Sequence, residues 1–206
     1  MVIAVPPTQA EDFETYKVSP ASQMSRYSDV RAEINRLLIQ DYQARGFVLF
    51  PLPRHMKRPF KGHRWSEEEW TYEGLLAHVD AGSNLALIAG ASGVAVIDVD
   101  HAELPAGLAR MVPQTLTMRT PRGWAFFVKP PVTGMARLLR RFPQVDTPRV
   151  DVMYELVPPS VTCARCRSDP DADDYCKGSH DWRFRVWASD APVLPGAEFV
   201  KRALKA

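Results

Sequence analysis

Three cysteines are all that the 206 residues contain, and all three fall between positions 163 and 176. So few, so clustered, exclude a disulfide-stapled secreted fold and suit a metal site in a reducing compartment, which makes the cytoplasm the expected location. Long apolar runs are missing as well. The longest, Leu85 to Ile97, is interrupted by glycines and is shorter than the roughly 18 residues a membrane span needs. Met1 to Val5 lack the basic leader and apolar core of a secretory signal. Charge of one sign is also scarce: a net charge of +2 and a pI near 8.5 name no partner, because electrostatic binding depends on where charges cluster.

What is present describes a chain that folds. Apolar residues make up 46% and charged residues 24%, in a length that suits one sizeable domain or a core with a small appendage. Residues 1–25 have no clear period and read as a loosely ordered lead-in, leaving 26–206 as the folded domain, with a distinct segment at 161–181. From Ser28 to Arg45 the positions Val30, Ile34, Leu37, Leu38, Ile39 and Tyr42 recur at helical spacing, with Ser28 or Asp29 as N-cap and Gly46 as stop. Phe47 to Phe50 reads as a strand, and Ser66 to Trp70 as the start of a second helix running to Val79. Short strands are expected at 85–88, 94–100, 115–120, 124–128, 150–157 and 182–187, with helices near 104–111 and 134–142. Thr120-Pro121-Arg122-Gly123 suits a turn joining two of these strands as a hairpin. The fold class is α+β.

Alternation along Val94 to Asp100 sends Ala95, Ile97 and Val99 one way and Asp98 and Asp100 the other. Carboxylates this close repel unless a cation neutralises them, and hard oxygen ligands suit Mg²⁺ or Mn²⁺. Taken alone, such a pair also fits a solvated turn. A third carboxylate is wanted, and Asp151, between Val150 and Val152, supplies it; Asp146 is the competitor.

Cys163-x₂-Cys166-x₉-Cys176-x₃-His180 offers four ligands in one short polar segment, the number a closed structural Zn²⁺ site requires. Residues Arg54 to Trp65 interleave cations with aromatics, as phosphate contact and base stacking demand, and Arg137, Arg140 and Arg141 share a helix face.

Four segments in order resemble the primase-polymerase (prim-pol) family of plasmid and viral replication proteins, within the archaeo-eukaryotic primase superfamily. They are Gly46 to Pro53 with Lys57, Pro59 and Trp65; Asn84 to Asp100; Thr120 to Gly123 with the aromatic strand after it; and Tyr154 to Ser160. The resemblance implies an RRM-like mixed sheet core packed on helices, here with a small zinc-binding insertion. It implies a DNA primase and polymerase, with Asp98, Asp100 and Asp151 holding two divalent metal ions. The implied partners are a single-stranded DNA template, a primer and nucleoside triphosphates, with a helicase domain or protein alongside and no membrane. Where the family has a histidine after the Thr…Gly turn, this sequence has Trp124 and Ala125. Lys57, Arg119, Arg122 and Ser160 are the candidates for nucleotide or phosphate contact. Two other readings follow from the same residues: a nucleic-acid-binding module with a degenerate primase core, and a metal-dependent nuclease.

Overall fold

The computed structural model of the chain describes residues 20–59, 69–146, 154–163 and 182–205. Helix α1 spans Pro20–Ala44. It begins well before Ser28 and Asp29, which therefore lie inside it rather than cap it. Proline opens a helix readily, because its φ is already helical and the N–H it lacks would have no partner in the first turn. The other end is as expected. Gly46 adopts φ 71°, its N–H donates to Gln43 O at 3.0 Å, and the Phe47 N–H donates to Tyr42 O at 2.9 Å, closing the last turn. Asn35, Ile39 and Tyr42 form the buried stripe, whereas Val30, Ile34 and Leu37 are 51–59% exposed. The helical period was legible; which of two adjacent stripes packs was not.

Strand β1 is Leu49–Leu52, and helix α2 is Tyr72–Asp80. Glu69 and Trp70, expected in that helix, precede it. Its cap is Thr71, whose Oγ1 accepts the Gly74 N–H at 3.1 Å, satisfying a first-turn donor locally. Strand β2, Asn84–Ile88, pairs antiparallel with β1 on one side and with β6, Tyr154–Val157, on the other.

A second sheet contains β3 (Ala95–Val99), β4 (Thr117–Arg119), β5 (Trp124–Lys129), β9 (Val186–Ser189) and β10 (Leu194–Pro195). Its spatial order is β3, β5, β4, β9, all antiparallel, and β10 adds a short parallel pairing at the end of β5. Strands β7 (Val161–Cys163) and β8 (Trp182–Phe184) form a two-stranded ribbon. The single strand expected over 182–187 is thus two strands, divided at Arg185, because the chain leaves the ribbon there and joins the larger sheet.

One core lies between the sheets and under α1 and α2, with Tyr42, Val79, Leu85, Leu87, Val96, Met118 and Phe127 among its members. The other face of the larger sheet, with Ile97, Val99, Phe126 and Val128, packs on α3 (Ala106–Ala109), α4 (Met135–Arg141) and α5 (Gly196–Leu204). Strands β3 and β5 are consequently buried on both faces, which explains the nearly unbroken apolar run before Asp98. Among the described residues no helix is long and apolar enough to cross a membrane.

Candidate active site

Val94 and Val96 belong to the core between the sheets, while Ala95, Ile97 and Val99 belong to the core under the helices. A strand's period of two therefore puts Asp98 on the face that looks toward the smaller sheet. It pairs with Ala125, which pairs with Met118, which pairs with Trp187, so Asp98 ends a row running across four strands. Asp98 is half-buried and Asp100, just past the strand, is exposed. On the free edge of β3 the chain returns from α4: Val145 bridges Val99, and the Asp146 N–H donates to Asp98 O at 2.9 Å. The backbone that leads toward Asp151 thus departs from beside Asp98. Asp151 itself lies outside the described residues, and Asp146 is exposed.

The expected hairpin joins β4 to β5 and closes at the Arg119–Trp124 pair. Inside its loop the Thr120 N–H donates to Gly123 O at 2.9 Å, and the Gly123 N–H donates to Thr120 Oγ1 at 3.0 Å. Gly123 is there for lack of space. A methyl group at this position would collide with the Val99 carbonyl oxygen and stand 2.7 Å from the His101 amide nitrogen. The loop can therefore lie flat on the backbone that joins Asp98 to Asp100. From it Arg122 reaches Asp100 at 2.7 Å, with side chains 59% and 40% exposed. An ion pair so open contributes about 0–1 kcal/mol and gives way to a better ligand.

Arg119 points elsewhere. It shares its row with Trp124 and Val99, on the helix-covered face away from Asp98. Its guanidinium stacks 4.6 Å from the Trp124 ring centroid, and both side chains donate to Ala102 O, at 2.7 and 3.1 Å. Together they fasten the segment that follows Asp100.

Glu155 of β6, whose cross-strand partner is Leu87 of the core between the sheets, is also on a face turned toward that core. Arg185 approaches Glu155. Its Nε is 4.0 Å from Glu155 Oε1, and its side chain is only 3% exposed. Burial pulls its pKa below the ordinary value, while the charges of Glu155 and Asp98 oppose that shift. The Arg185 Nε and Nη1 atoms are buried with no hydrogen-bond acceptor. Each such donor costs about 1–3 kcal/mol. Sequence reading missed both residues of this cluster. The available signal was a cation in the inward register of a strand, between Phe184 and Val186 that point out and one step before Trp187 that points in.

The remaining candidates are scattered. Lys57 is exposed, and its carbonyl accepts from the Tyr154 hydroxyl at 2.8 Å, which fixes the loop after β1 beside the start of β6. Ser160 is buried, with its hydroxyl donating to Leu85 O and accepting the Leu85 N–H, each at 2.8 Å. That use of both valences makes it a clamp on β2 rather than a phosphate contact. Cys163 is buried at the end of β7 and pairs with Trp182, bringing together the two ends of 164–181; Cys166, Cys176 and His180 lie outside the described residues. Arg137, Arg140 and Arg141 are exposed on α4, across the larger sheet from Asp98.

Asp98 and Asp100 fit a hard divalent cation: two carboxylates from one strand end, the outer one held only by a surface ion pair. Among the described residues no three His, Cys, Asp or Glu side chains converge as a metal site. A cation at this pair would draw its further protein ligand from elsewhere in the chain.

The family model described as "Bifunctional DNA primase/polymerase, N-terminal" matches residues 39–176. That span covers β1 to β7, including Asp98, Asp100, the hairpin and Glu155. No curated protein matches the chain.

Proposed function

The chain belongs to the bifunctional DNA primase/polymerase (Prim-Pol) family, and on that premise we propose that it makes and extends primers on single-stranded DNA. In this reading nucleoside triphosphates are joined at divalent cations held by Asp98, Asp100 and Asp151. The observation that carries it is Asp98 on the row facing the smaller sheet at the end of β3, with Asp100 beside it under the Gly123 turn. Helices packed on the face opposite Asp98 suit the larger sheet to be the RRM-like half.

A Mg²⁺ or Mn²⁺ ion held by these carboxylates would supply activation of the primer 3′-hydroxyl and charge balance on the leaving pyrophosphate. Asp98 and Asp100 provide the oxygens, and the Gly123 turn keeps their shared backbone in place. Arg122 exchanges Asp100 for a phosphate oxygen, since a guanidinium binds either. Lys57, at the β6 side, is the second cation for the triphosphate or template. Cys163, Cys166, Cys176 and His180 hold a structural Zn²⁺, supported by the β7–β8 ribbon that closes the base of their segment.

Primer synthesis and extension with Mg²⁺ or Mn²⁺ test this. Templated products are expected from the wild type and lost by roughly 10³-fold or more in Asp98→Ala and Asp100→Ala. A second reading, a nucleic-acid-binding module without catalysis, is favoured by Ala125, whose side chain can donate no hydrogen bond, standing directly opposite Asp98. Template binding by a wild type that makes no product supports that reading. Metal-dependent degradation of the template supports a nuclease.

A further inference from the structure

We propose that the solvent side of helices α3, α4 and α5 is a second DNA-binding face, which takes the phosphate backbone of duplex DNA on the opposite side of the larger sheet from Asp98. It rests on the reading of DNA as the partner and makes no use of the carboxylates. Charge is divided unevenly along the chain. Residues 104–145 contain seven cations and no acid, and residues 191–206 three cations and one acid, although the whole chain has 26 Lys and Arg against 24 Asp and Glu. These two stretches supply all three helices that pack on one face of the larger sheet.

Helix α5 lies against both α3 and α4, and Leu108, Leu138, Phe142, Phe199 and Ala203 turn inward from the three. That burial sends the polar residues outward: Arg137, Arg140 and Arg141 on α4, Arg110 at the end of α3 and Lys205 at the end of α5 are exposed. Glu198, the single acid on these helices, is taken up by Arg202 at 2.7 Å and Lys201 at 3.8 Å. Among the described residues the five exposed cations have no ion pair. Arg137 and Arg141 stand one turn apart, as do Lys201 and Lys205, and like charges at that spacing destabilise a helix. A polyanion relieves that repulsion and gains further from release of its own condensed counterions. Sequence-independent binding of single strands adds aromatic stacking to the cations. The exposed large apolar side chains of the described residues, however, lie on α1, just before β1, and on β8 and β9, with none on α3, α4 or α5. A duplex keeps its bases stacked inside and presents phosphates alone, at about one charge per 1.7 Å, so duplex is the form this face fits.

Arg137→Gln/Arg140→Gln/Arg141→Gln in the full chain removes three exposed charges remote from the acids, so the melting temperature is expected to stay at its wild-type value. Fluorescence anisotropy with a short labelled duplex, over a series of salt concentrations, reads the effect. The Kd is expected to rise roughly 10²-fold near 0.15 M salt, and the slope of log K against log salt to flatten by about 2.7, as for three lost phosphate contacts. A single strand of the same length is expected to lose much less affinity. A duplex Kd and salt slope unchanged from wild type overturn the proposal, and are the result that an acidic protein as occupant predicts. An equal loss for single strand and duplex overturns it too, since it would mark a general template groove. If the triple variant does not fold, Arg110→Gln/Lys205→Gln on the neighbouring helices decides by the same readout, with a flattening of about 1.8 for two contacts. Primer extension by the wild type separates the two levels. Absence of templated product defeats the reading of the acids and leaves the duplex measurement standing; templated product together with normal duplex binding by the triple variant defeats this face alone.

Discussion

Among the described residues, the buried polar cluster around Asn84 and Ser160 and the one around Arg185 are built on opposite terms. Around Asn84 and Ser160 the side chains bond to backbone: the Asn84 amide donates to Met56 O at 2.8 Å and accepts the Val161 N–H at 2.9 Å, and Ser160 serves both backbone groups of Leu85. Close by, Tyr42 donates to Pro158 O at 2.7 Å and accepts the Trp187 N–H at 2.9 Å, and burial pushes its phenol well above the ordinary range. Around Arg185 two N–H groups have no acceptor. A satisfied network rigidifies what it joins, whereas an unsatisfied one is kept at a cost and marks a place held for something other than stability. The first cluster ties the Pro158-Pro159 turn and the loop after β1 to the sheets; the second is where the acids are.

This contrast can be broken by experiment. Gly123→Ala has the largest expected effect, because it is the point where scaffold and site coincide. The added methyl has backbone rather than a flexible side chain in its way, so a loss of about 3 kcal/mol or more is expected in denaturant unfolding, with extension activity lost alongside. A stable, active variant would mean that the turn does not rest on the Val99–His101 backbone. Asn84→Ala should come next, costing roughly 2–4 kcal/mol, because it strands the Val161 N–H and the Met56 C=O. Its kcat, measured well below the melting temperature, should stay near wild type; a selective loss of kcat would put Asn84 in the site and erase the distinction. Arg122→Ala is expected to move stability least, within about 0.5 kcal/mol, since its partner Asp100 is exposed. The same variant should raise the KM for nucleotide, and an unchanged KM would return Arg122 to the surface.

Much of the fold was legible because local chemistry fixed it. Gly46 stops α1 through its left-handed φ, Thr120 to Gly123 turn the β4–β5 hairpin, and alternation separates Asp98 from Val99. Three expectations failed where packing outranked pattern. Val30, Ile34 and Leu37 have the right period and still face outward. Glu69 and Trp70 resemble a helix start, yet Thr71 performs the capping. The run 182–187 alternates as one strand and serves two sheets.

The candidate site divides along the same line. Asp98, Asp100 and Arg122 were accessible to sequence reading because they lie within one strand and the hairpin that folds onto it, so short-range geometry brings them together. Ser160 and Arg119 were candidates for phosphate from their places after the Pro-Pro turn and beside the hairpin, and tertiary contacts give each another partner, Leu85 for the one and Trp124 for the other. Sequence alone determined the pair of carboxylates and the strand end that presents them, since alternation and turn chemistry act over a few residues. Only the tertiary structure decided that Glu155 and Arg185 meet, because distant segments of the chain contribute them, and burial, which makes their charges matter, exists only once the sheets have packed.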